Sequence, residues 1–304
     1  MARPVLKRSV ELTVVVPVTL MAGRLARLEE WLNIAKRYPI QVLIIHDKRD
    51  LATGEQLATL IRQLSTEFIE VIEGNYGNPG TARNQGITRA NGKWITFWDS
   101  DDSPFVESVM SEIETIPNSI EIIVGSFRKV DENTGVISNW DKPRNLQDIA
   151  MNPGVWRMIF RTSSIESFRF PGLLMAEDQV FLSKIRIAER RIQFTSSEFY
   201  TYFVGNSTQL TKSKLALADL PRAMLEIGTR NSQVSNHQLK FDMFLIARQF
   251  ITSLRKATKE IKIAAIVAIL RIGKGNSLIS SVYLTQSVIY IFAGKARWNK
   301  HEKS

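Results

Sequence analysis

The sequence predicts an α/β fold in which a doubly wound, mostly parallel sheet is followed by a C-terminal helical extension. Three observations support this prediction. Continuously apolar strand segments alternate with amphipathic helical segments over the first hundred residues, a pattern typical of parallel sheets covered by helices on both faces. One of these strands ends directly in a cluster of aspartates. From about residue 215 onward, long helical patterns dominate.

The alternation is regular enough to assign each element. Apolar runs predict strands at 12–16, 41–45, 68–72 and 94–98. Apolar residues at helical spacing predict helices at 24–37, 53–65 and 81–90 between them. Pro17 is expected to stop the first strand, and a glycine-rich loop at 73–80 precedes the third helix. Right-handed crossovers between such strands produce a doubly wound sheet.

The pattern changes after residue 102. Residues 120–130 and 135–140 are typical of a hairpin around an Asp-Glu-Asn-Thr-Gly turn. We expect a further strand at 155–161 and a helix at 177–189, because the apolar residues of the latter recur on one side.

The positive charge of the chain is concentrated in its C-terminal third. The 304 residues include 40 Lys and Arg against 30 Asp and Glu, a net charge of +10. Residues 211–304 contain 16 Lys and Arg and 5 Asp and Glu, a balance of +11, so residues 1–210, with 24 and 25, are nearly neutral. This asymmetry indicates a surface that meets anions, either lipid headgroups or nucleic acid.

Two compositional features limit the function classes. The chain has no cysteine, which excludes disulfides, thiolate metal sites and cysteine nucleophiles, and fits a reducing compartment. No window reaches about 18 uninterrupted apolar residues, so we expect no membrane-spanning helix. The N-terminal residues also have no apolar run of signal-peptide length.

The most informative segment is the acidic turn, residues 99–102, which follows the apolar run at 94–98. Asp99, Asp101 and Asp102 place three carboxylates in four positions, at the carboxyl edge of the predicted sheet. Open α/β sheets bind ligands at that edge, and a divalent cation such as Mg²⁺ or Mn²⁺ relieves the repulsion between carboxylates. The alternative is a polar loop and helix N-cap, with Ser103 and Pro104 starting the next helix.

The order of motifs resembles family 2 glycosyltransferases of the GT-A fold, a doubly wound, Rossmann-like fold. The resemblance covers about residues 12–211. The motifs are Pro17 at the end of the first strand, a strand ending in an acidic group at 41–47, an Ala-Arg-Asn-x-Gly segment within 78–86, the approach to an Asp-x-Asp motif at 91–102, and a Glu-Asp pair in 175–178.

The resemblance implies a metal-dependent, inverting transferase with a nucleotide-diphospho-sugar donor and a saccharide or lipid-linked saccharide acceptor. It implies Mn²⁺ or Mg²⁺ on Asp101, helped by Asp99, and Asp178 as general base, with Glu177 orienting the acceptor. Capping of a helix N-terminus would also explain the last two acids. The residues expected to bind the donor are Pro17, Val18, His46, Asp47, Asn78, Gly80, Arg83, Asp99 and Ser100.

Some positions leave two interpretations open. His46 stands where the family has an acid that reads the nucleobase, so it indicates either an altered base preference or a partly buried strand-end residue. Arg83 either pairs with phosphate or base or is an ordinary solvated helix residue. Ser207 and Thr208 either close over the diphosphate or form a plain turn. Trp140 and Trp156 either stack on an acceptor sugar or belong to the core.

We therefore expect a catalytic domain at 1–210, with a nucleotide-sugar half at 1–103 and an acceptor half at 104–210. Residues 211–304 form a basic helical region in which basic residues flank apolar segments. It either contacts an anionic membrane surface or packs in a homo-oligomer.

The sequence thus predicts an enzyme of surface-polysaccharide or glycolipid synthesis, on the cytoplasmic face of the cell membrane. The alternatives are a sugar nucleotidyltransferase, or a non-enzymatic protein whose basic tail binds nucleic acid, a partner that we do not expect.

Overall fold

The structure is a computed structural model that describes residues 9–64, 67–139, 142–205, 213–229, 234–275 and 278–301. The chain divides into two compact units. The first unit comprises 1–143, 155–169 and 191–206, and the second comprises 144–154, 170–190 and 207–304. The domain boundary expected at residue 210 stays a prediction, since two segments before it group with the C-terminal helices.

The elements follow one another along the chain as strands, helices and two short 3₁₀ turns. The strands are β1 (Leu12–Val18), β2 (Ile40–Asp47), β3 (Ile69–Gly74), β4 (Trp94–Phe97), β5 (Ser103–Pro104), β6 (Ile122–Asp131), β7 (Ile137–Asn139), β8 (Met158–Arg161) and β9 (Ile192–Val204). The helices are α1 (Ala26–Ala35), α2 (Leu51–Leu64), α3 (Pro79–Arg89), α4 (Val106–Thr115), α5 (Leu146–Met151), α6 (Thr162–Ile165), α7 (Glu177–Lys184), α8 (Lys214–Leu217), α9 (Leu220–Gly228), α10 (Asn236–Lys256), α11 (Lys259–Gly275) and α12 (Leu278–His301).

The first four strands form the parallel half of the sheet, in the order β3-β2-β1-β4. Each strand is apolar because both of its faces are covered; Leu12, Val14, Val15 and Val16 of β1 are fully buried. The predicted strands and the helices α1 to α3 are confirmed, with ends that differ by a few residues. This half shows the doubly wound arrangement that the alternation predicts.

Pro17 does not stop β1, which continues to Val18. The ladder between β1 and β4 ends where Val15 pairs with Phe97, whereas Pro17 still pairs with Ile45 of β2. Proline cannot donate a ladder hydrogen bond, so it is tolerated where the strand has lost one neighbour. The expected strand end was therefore wrong.

The rest of the sheet is mixed, in the region after residue 102 where the sequence pattern changes. The full order is β3-β2-β1-β4-β8-β6-β9-β5, with β7 paired to β6. β8 runs antiparallel to both β4 and β6, and β9 is parallel to β6. The predicted hairpin is confirmed by the antiparallel pairing of β6 and β7. The expected strand at 155–161 is shorter, because residues 155–157 form a 3₁₀ turn before β8.

The longest strand, β9, has no counterpart among the predicted strands. Its apolar pattern is broken by a polar stretch at 195–198, and its pairing with β6 is irregular between Val124 and Phe127. Residues 202–204 form the end of this strand. Ser103 and Pro104, which the alternative interpretation of the acidic turn placed at the start of a helix, instead pair with Thr201 and Tyr200 of β9. Pairing with a strand distant in sequence is therefore what gives this segment its conformation.

The second unit is helical, as the C-terminal pattern predicts. The expected helix at 177–189 ends earlier, at Lys184, because Arg186 adopts a left-handed conformation with φ of 52° and a 3₁₀ turn follows. Gln238 at the start of α10 is fully buried and accepts a hydrogen bond from the Ala188 N–H at 2.9 Å. Among the helices that the structure describes, none is long and apolar enough to cross a membrane.

Candidate active site

The acidic turn lies at a topological switch point of the sheet. The chain moves outward from β1 to β2 and β3 on one side, and β4 lies on the other side of β1. In open α/β sheets a crevice forms at the carboxyl ends of the strands where the order reverses, and ligands bind there. Val18 ends β1 and Asp99 to Asp102 follow β4, so both segments lie at this edge. The topology therefore places the predicted donor site where the fold supports one.

Asp102 is oriented into the protein. Its side chain is buried, and its Oδ1 accepts a hydrogen bond from the Phe203 N–H at 2.8 Å. The Tyr200 hydroxyl also bonds to it. Burial, followed by the charges of Asp101 and Asp99, raises the pKa of Asp102 well above its usual value. Of the three carboxylates in the acidic turn, Asp102 therefore anchors the turn to β9.

Asp99 is linked to the glycine-rich segment through Arg83. The Arg83 Nη2 donates to Asp99 Oδ1 at 2.8 Å, and the Arg83 side chain is buried, although that of Asp99 is about one-third exposed. Arg83 lies on α3, which can approach the sheet closely because position 86 is glycine. A Cβ at Gly86 would lie 2.2 Å from the Val15 side chain. The interpretation of Arg83 as a solvated helix residue is excluded.

The start of α3 is built by the other residues of the glycine-rich segment. The Asn78 side chain caps the helix, since its Oδ1 accepts a hydrogen bond from the Thr81 N–H at 2.8 Å. Gly80 is buried in the first turn, and Pro79 precedes it at the first helical position. An anion is favoured at such a helix N-terminus by the exposed N–H groups and the helix dipole.

Asp101 is held through its backbone. Its carbonyl oxygen accepts a hydrogen bond from Arg27 Nη1 at 3.0 Å, while Arg27 Nη2 pairs with Glu132 at 2.6 Å. The Arg27 guanidinium also stacks 3.6 Å above the centroid of the Phe203 ring. Burial and the nearby charge of Asp99 raise the pKa of the Asp101 carboxyl group, and Arg24 and Arg27 oppose this shift. No sequence pattern singled out Arg27, which lies 74 residues before Asp101.

The donor set fits a divalent cation that is shared with a bound diphosphate. Within the described ranges, no three Asp, Glu or His side chains lie close enough together to enclose a metal ion. Asp99 and Asp101 supply two carboxylates, and their mutual repulsion is of the kind that a cation relieves. Mg²⁺ and Mn²⁺ are commonly bound by one or two carboxylates together with substrate phosphates. These two residues therefore fit the expected metal.

Asp47, at the end of β2, is hydrogen-bonded to the loop that follows β2 and to the loop that follows β3. Its carboxylate accepts hydrogen bonds from Arg49 Nε and Nη2 at 2.8 and 2.6 Å, and from the N–H groups of Tyr76 and Gly77 at 3.2 and 3.0 Å. Arg49 is the largest cause of a pKa well below the usual range for the Asp47 carboxyl group. Asp47 is thus ionised and joins the loops that follow β2 and β3.

His46 is a buried strand-end residue. Its side chain is 1% exposed, its Nδ1 lies 3.5 Å from Glu73 Oε1, and its Nε2 lies 3.1 Å from the Asp50 carbonyl oxygen. The ring also packs against Gly54, where an added Cβ would lie 2.9 Å from it. The structure therefore favours the buried interpretation of His46, and its role in base recognition stays a prediction.

The loop after β1 is tied to the start of α2. The Leu20 N–H donates to Asp50 Oδ2 at 2.5 Å, and the Met21 N–H donates to Thr53 Oγ1 at 2.9 Å. Val18 and Ser100 are buried, so their side chains present little surface to a ligand. Binding through Pro17, Val18 and Ser100 stays a prediction.

Glu177 and Asp178 lie in the second unit, in the first turn of α7. The preceding residue, Ala176, is left-handed with φ of 65°, a conformation that is uncommon for a residue with a side chain. Glu177 is buried, and Asp178 Oδ1 accepts a hydrogen bond from the Gln179 N–H at 2.7 Å. Gln249 of α10 donates to Gln179 Oε1 at 3.3 Å, so α10 supports this turn. The catalytic roles of both acids stay predictions.

The four remaining candidates have different outcomes. Trp140, Ser207 and Thr208 lie outside the described residues. Trp156 packs within the first unit, stacked on Tyr200 at a centroid distance of 4.7 Å and on Tyr202 at 5.4 Å. These contacts are those of a core residue.

Comparisons with known proteins agree with this geometry. Residues 13–174, more than half of the chain, match the sequence model of glycosyl transferase family 2. The match includes the acidic turn and ends before Glu177. The glycosyltransferase EpsH of Bacillus subtilis (strain 168) is 24% identical over 241 residues, which are 71% of this chain and 69% of EpsH. The glycosyltransferase GlyA of Streptococcus pneumoniae serotype 4 is 20% identical over 215 residues, which are 63% of this chain and 30% of GlyA.

Two solved structures share the fold. S. aureus TarS, in complex with UDP-GlcNAc, has a TM-score of 0.70 and 17% identity, with 94% of this chain and 92% of that chain covered. The mannosyltransferase PcManGT from Pyrobaculum calidifontis, in complex with GDP-Man and Mn²⁺, has a TM-score of 0.58 and 14% identity, with 95% and 83% covered. The family match and the shared GT-A fold establish that the chain is a glycosyltransferase and belongs to glycosyl transferase family 2.

Proposed function

We propose that the protein is a metal-dependent, inverting glycosyltransferase that uses a nucleotide-diphospho-sugar donor. The observation that carries the proposal is the acidic turn at the switch point, in which Asp99 pairs with the buried Arg83 and Asp101 is held through its backbone. The nucleotide sugars in the TarS and PcManGT complexes support this class of donor. Family membership favours this function over the nucleotidyltransferase and nucleic-acid-binding alternatives.

The residues of the first unit bind and orient the donor. Arg83 is held near the N-terminus of α3 and carries a positive charge that attracts the donor diphosphate. Asp99 and Asp101 would hold Mg²⁺ or Mn²⁺, and such an ion, when bound, neutralises negative charge on the diphosphate. The Mn²⁺ in the PcManGT complex supports this cofactor.

The proton of the acceptor hydroxyl goes to a general base, for which we propose Asp178. The acceptor oxygen attacks the anomeric carbon, the bond from that carbon to the diphosphate breaks, and the proton is transferred to the Asp178 carboxylate. Glu177 orients the acceptor. A single displacement without a protein nucleophile inverts the anomeric centre.

The acceptor is proposed to be a growing surface polysaccharide or glycolipid at an anionic membrane. The support is an exposed face of α11, here called the α11 stripe, which consists of Ile263, Ile266, Val267 and Leu270. These residues are 40–60% exposed and recur at helical spacing. Lys259, Lys262, Arg271 and Lys274 lie at the two ends of the stripe.

An apolar helix face with basic flanks is typical of helices that lie in the interface of an anionic bilayer. We therefore propose that the α11 stripe contacts the membrane. The location on its cytoplasmic face stays a prediction. A homo-oligomer formed through the same stripe is the outcome that would replace this proposal.

The experiment that tests the enzymatic proposal is donor screening by nucleotide release, with and without Mn²⁺. We expect one nucleotide-diphospho-sugar to be hydrolysed or transferred only when the metal is present. The Asp101→Asn variant should lose this release, whereas the matched control Glu107→Gln, an exposed carboxylate on α4, should keep it. Equal release by both variants, or release independent of metal, would contradict the proposed metal role.

A further inference from the structure

The carboxylate of Asp47 is saturated with hydrogen-bond donors from the protein. Its Oδ1 accepts from the backbone N–H of Arg49 at 3.2 Å and from Arg49 Nε at 2.8 Å. Its Oδ2 accepts from Arg49 Nη2 at 2.6 Å and from the N–H groups of Tyr76 and Gly77. An ionised carboxylate offers about four lone-pair sites. Asp47 therefore has no site left for an N–H group of a ligand.

Arg49, by contrast, has donors that point away from Asp47. A guanidinium carries five N–H groups, and the pair with Asp47 uses one on Nε and one on Nη2. In the part of the chain that the structure describes, no other acceptor bonds to the three N–H groups that are left. The Arg49 side chain is 63% exposed, whereas that of Asp47 is 12% exposed. The bidentate pair with Asp47 therefore orients the Arg49 guanidinium so that its remaining N–H groups face outward.

The outward-facing N–H groups of Arg49 lie at the same carboxyl edge of the sheet as the acidic turn. Asp47 ends β2, β1 lies between β2 and β4, and β4 leads into Asp99. Neighbouring strands are about 4.8 Å apart, so the ends of β2 and β4 are separated by about 10 Å along the carboxyl edge. Gly77, at the turn after β3, borders Arg49: a Cβ there would lie 3.6 Å from Arg49 Nη2. A nucleotide whose diphosphate lies at the acidic turn can therefore extend its base toward Arg49.

We propose that Arg49, held by Asp47, is the residue that reads the nucleobase of the donor, and that it selects a base with two adjacent acceptors. The inference depends on the proposed function, since it assumes a nucleotide donor. Guanine offers O6 and N7 side by side, and cytosine offers O2 and N3. Uracil and adenine place an N–H donor beside each acceptor on the corresponding edges. Such an N–H group of the base would need the Asp47 carboxylate as its acceptor, and the lone-pair sites of that carboxylate are filled.

The test is a comparison of GDP, CDP, UDP and ADP as probes, titrated calorimetrically into the full chain at a fixed Mn²⁺ concentration. The wild type should bind GDP or CDP about tenfold or more tightly than UDP and ADP, as expected for one bidentate base contact. Arg49→Ala should abolish this preference while leaving the affinity for the weaker probes within about threefold. Arg49→Lys keeps the charge but lacks the planar fork, so it should also lose the preference.

A matched control is Arg89→Ala, which removes another exposed arginine–carboxylate pair of the same unit, 2.7 Å from Glu70. This variant should keep the wild-type preference. Binding of all four diphosphates without preference, or tightest binding of UDP or ADP by the wild type, would overturn the inference and leave the proposed function intact. An equal loss for all four in Arg49→Ala would assign Arg49 to the phosphates and also overturn it. Failure of every probe to bind would overturn both proposals.

Discussion

The Tyr200 hydroxyl accepts a hydrogen bond from the backbone N–H of Asp99 at 2.9 Å. The same hydroxyl bonds to the Asp102 side chain, and Tyr200 is fully buried. One side chain on β9 therefore fixes both ends of the acidic turn. Because Asp101 lies between these two residues, the direction of its carboxylate depends on a strand that is about 100 residues away in sequence.

Replacement of Tyr200 by Phe tests this relationship. The change leaves the Asp99 N–H without its acceptor, which costs about 1–3 kcal/mol of folding free energy, and the buried Asp102 keeps only the bond from the Phe203 N–H. We also expect weaker Mn²⁺-dependent donor binding, because the turn loses its orientation. Urea unfolding and donor titration measure the two effects. The control is Tyr38→Phe, which changes a partly buried tyrosine of the same unit. Unchanged donor binding by Tyr200→Phe would show that the Tyr200 hydroxyl does not contribute to the donor site.

Replacement of Asp101 by Ala should abolish transfer and metal-dependent donor binding while the fold survives. The reason is that Asp101 supplies one of the two carboxylates available to a cation in the acidic turn. Calorimetric titration of donor in the presence and absence of Mn²⁺ measures the effect. A variant that binds donor in Mn²⁺ as tightly as the wild type would remove the metal role of this residue.

Replacement of Asp178 by Asn should keep donor binding but reduce turnover by about 10²–10⁴-fold, as expected when a general base is lost. Asparagine keeps the size of the side chain and its acceptor oxygen, so the bond from the Gln179 N–H is retained. Steady-state kinetics with the natural acceptor give the result, and Glu260→Gln, an exposed acid in α11, is the control. Near-normal turnover would assign the base to another group.

The contribution of Asp47 to stability should depend on pH. Its folded-state pKa is lowered, mainly by Arg49, so the stabilisation is present above the unfolded-state pKa of about 3.9 and is lost as the pH falls below it. The wild type should therefore have a larger free energy of unfolding than Asp47→Asn at pH 7. This gap in the free energy of unfolding should narrow progressively below about pH 4. Urea unfolding of both proteins between pH 7 and pH 3 measures the gap. A gap that stays constant over this range would contradict the ionised pair.

Polar substitution of the α11 stripe should weaken membrane association. Ile266→Ser together with Leu270→Ser removes exposed apolar surface and leaves the flanking charges in place, each of which contributes about 1 kcal/mol at an anionic surface. We expect binding to anionic phosphatidylglycerol vesicles to fall in a sedimentation assay, most visibly at high salt.

The control for this experiment is Val136→Ser, an exposed apolar residue of the first unit that is 58% exposed. It should bind vesicles like the wild type. A wild-type protein that ignores the vesicles but forms an oligomer, which the double substitution dissociates, would identify the α11 stripe as an assembly surface.

Local patterns were sufficient for the parallel half of the fold and for the identity of its candidate residues. Strands β1 to β4 are apolar throughout and the helices between them are amphipathic, so their periodicity specifies them without reference to the rest of the chain. Asp99 was found from its position directly after an apolar strand, whereas Arg83 and Asn78 were named through the resemblance of their segment to the family's Ala-Arg-Asn-x-Gly motif. The acidic turn was located correctly because it directly follows β4.

The roles within that set depend on contacts between residues far apart in the chain. Asp99, Asp101 and Asp102 are equivalent in sequence, but only Asp102 is turned inward, because Tyr200 and Phe203 of β9 bind it. β9 itself is not recognisable from periodicity, since its pattern is interrupted where its pairing with β6 is irregular. The bonds from the Tyr76 and Gly77 N–H groups to Asp47, and the position of Arg27 of α1 beside Asp101, likewise arise only when segments far apart in the chain meet at the sheet edge. Periodicity reports which face of an element is buried, whereas the partner of each polar group is set by the three-dimensional packing that satisfies buried hydrogen-bonding groups.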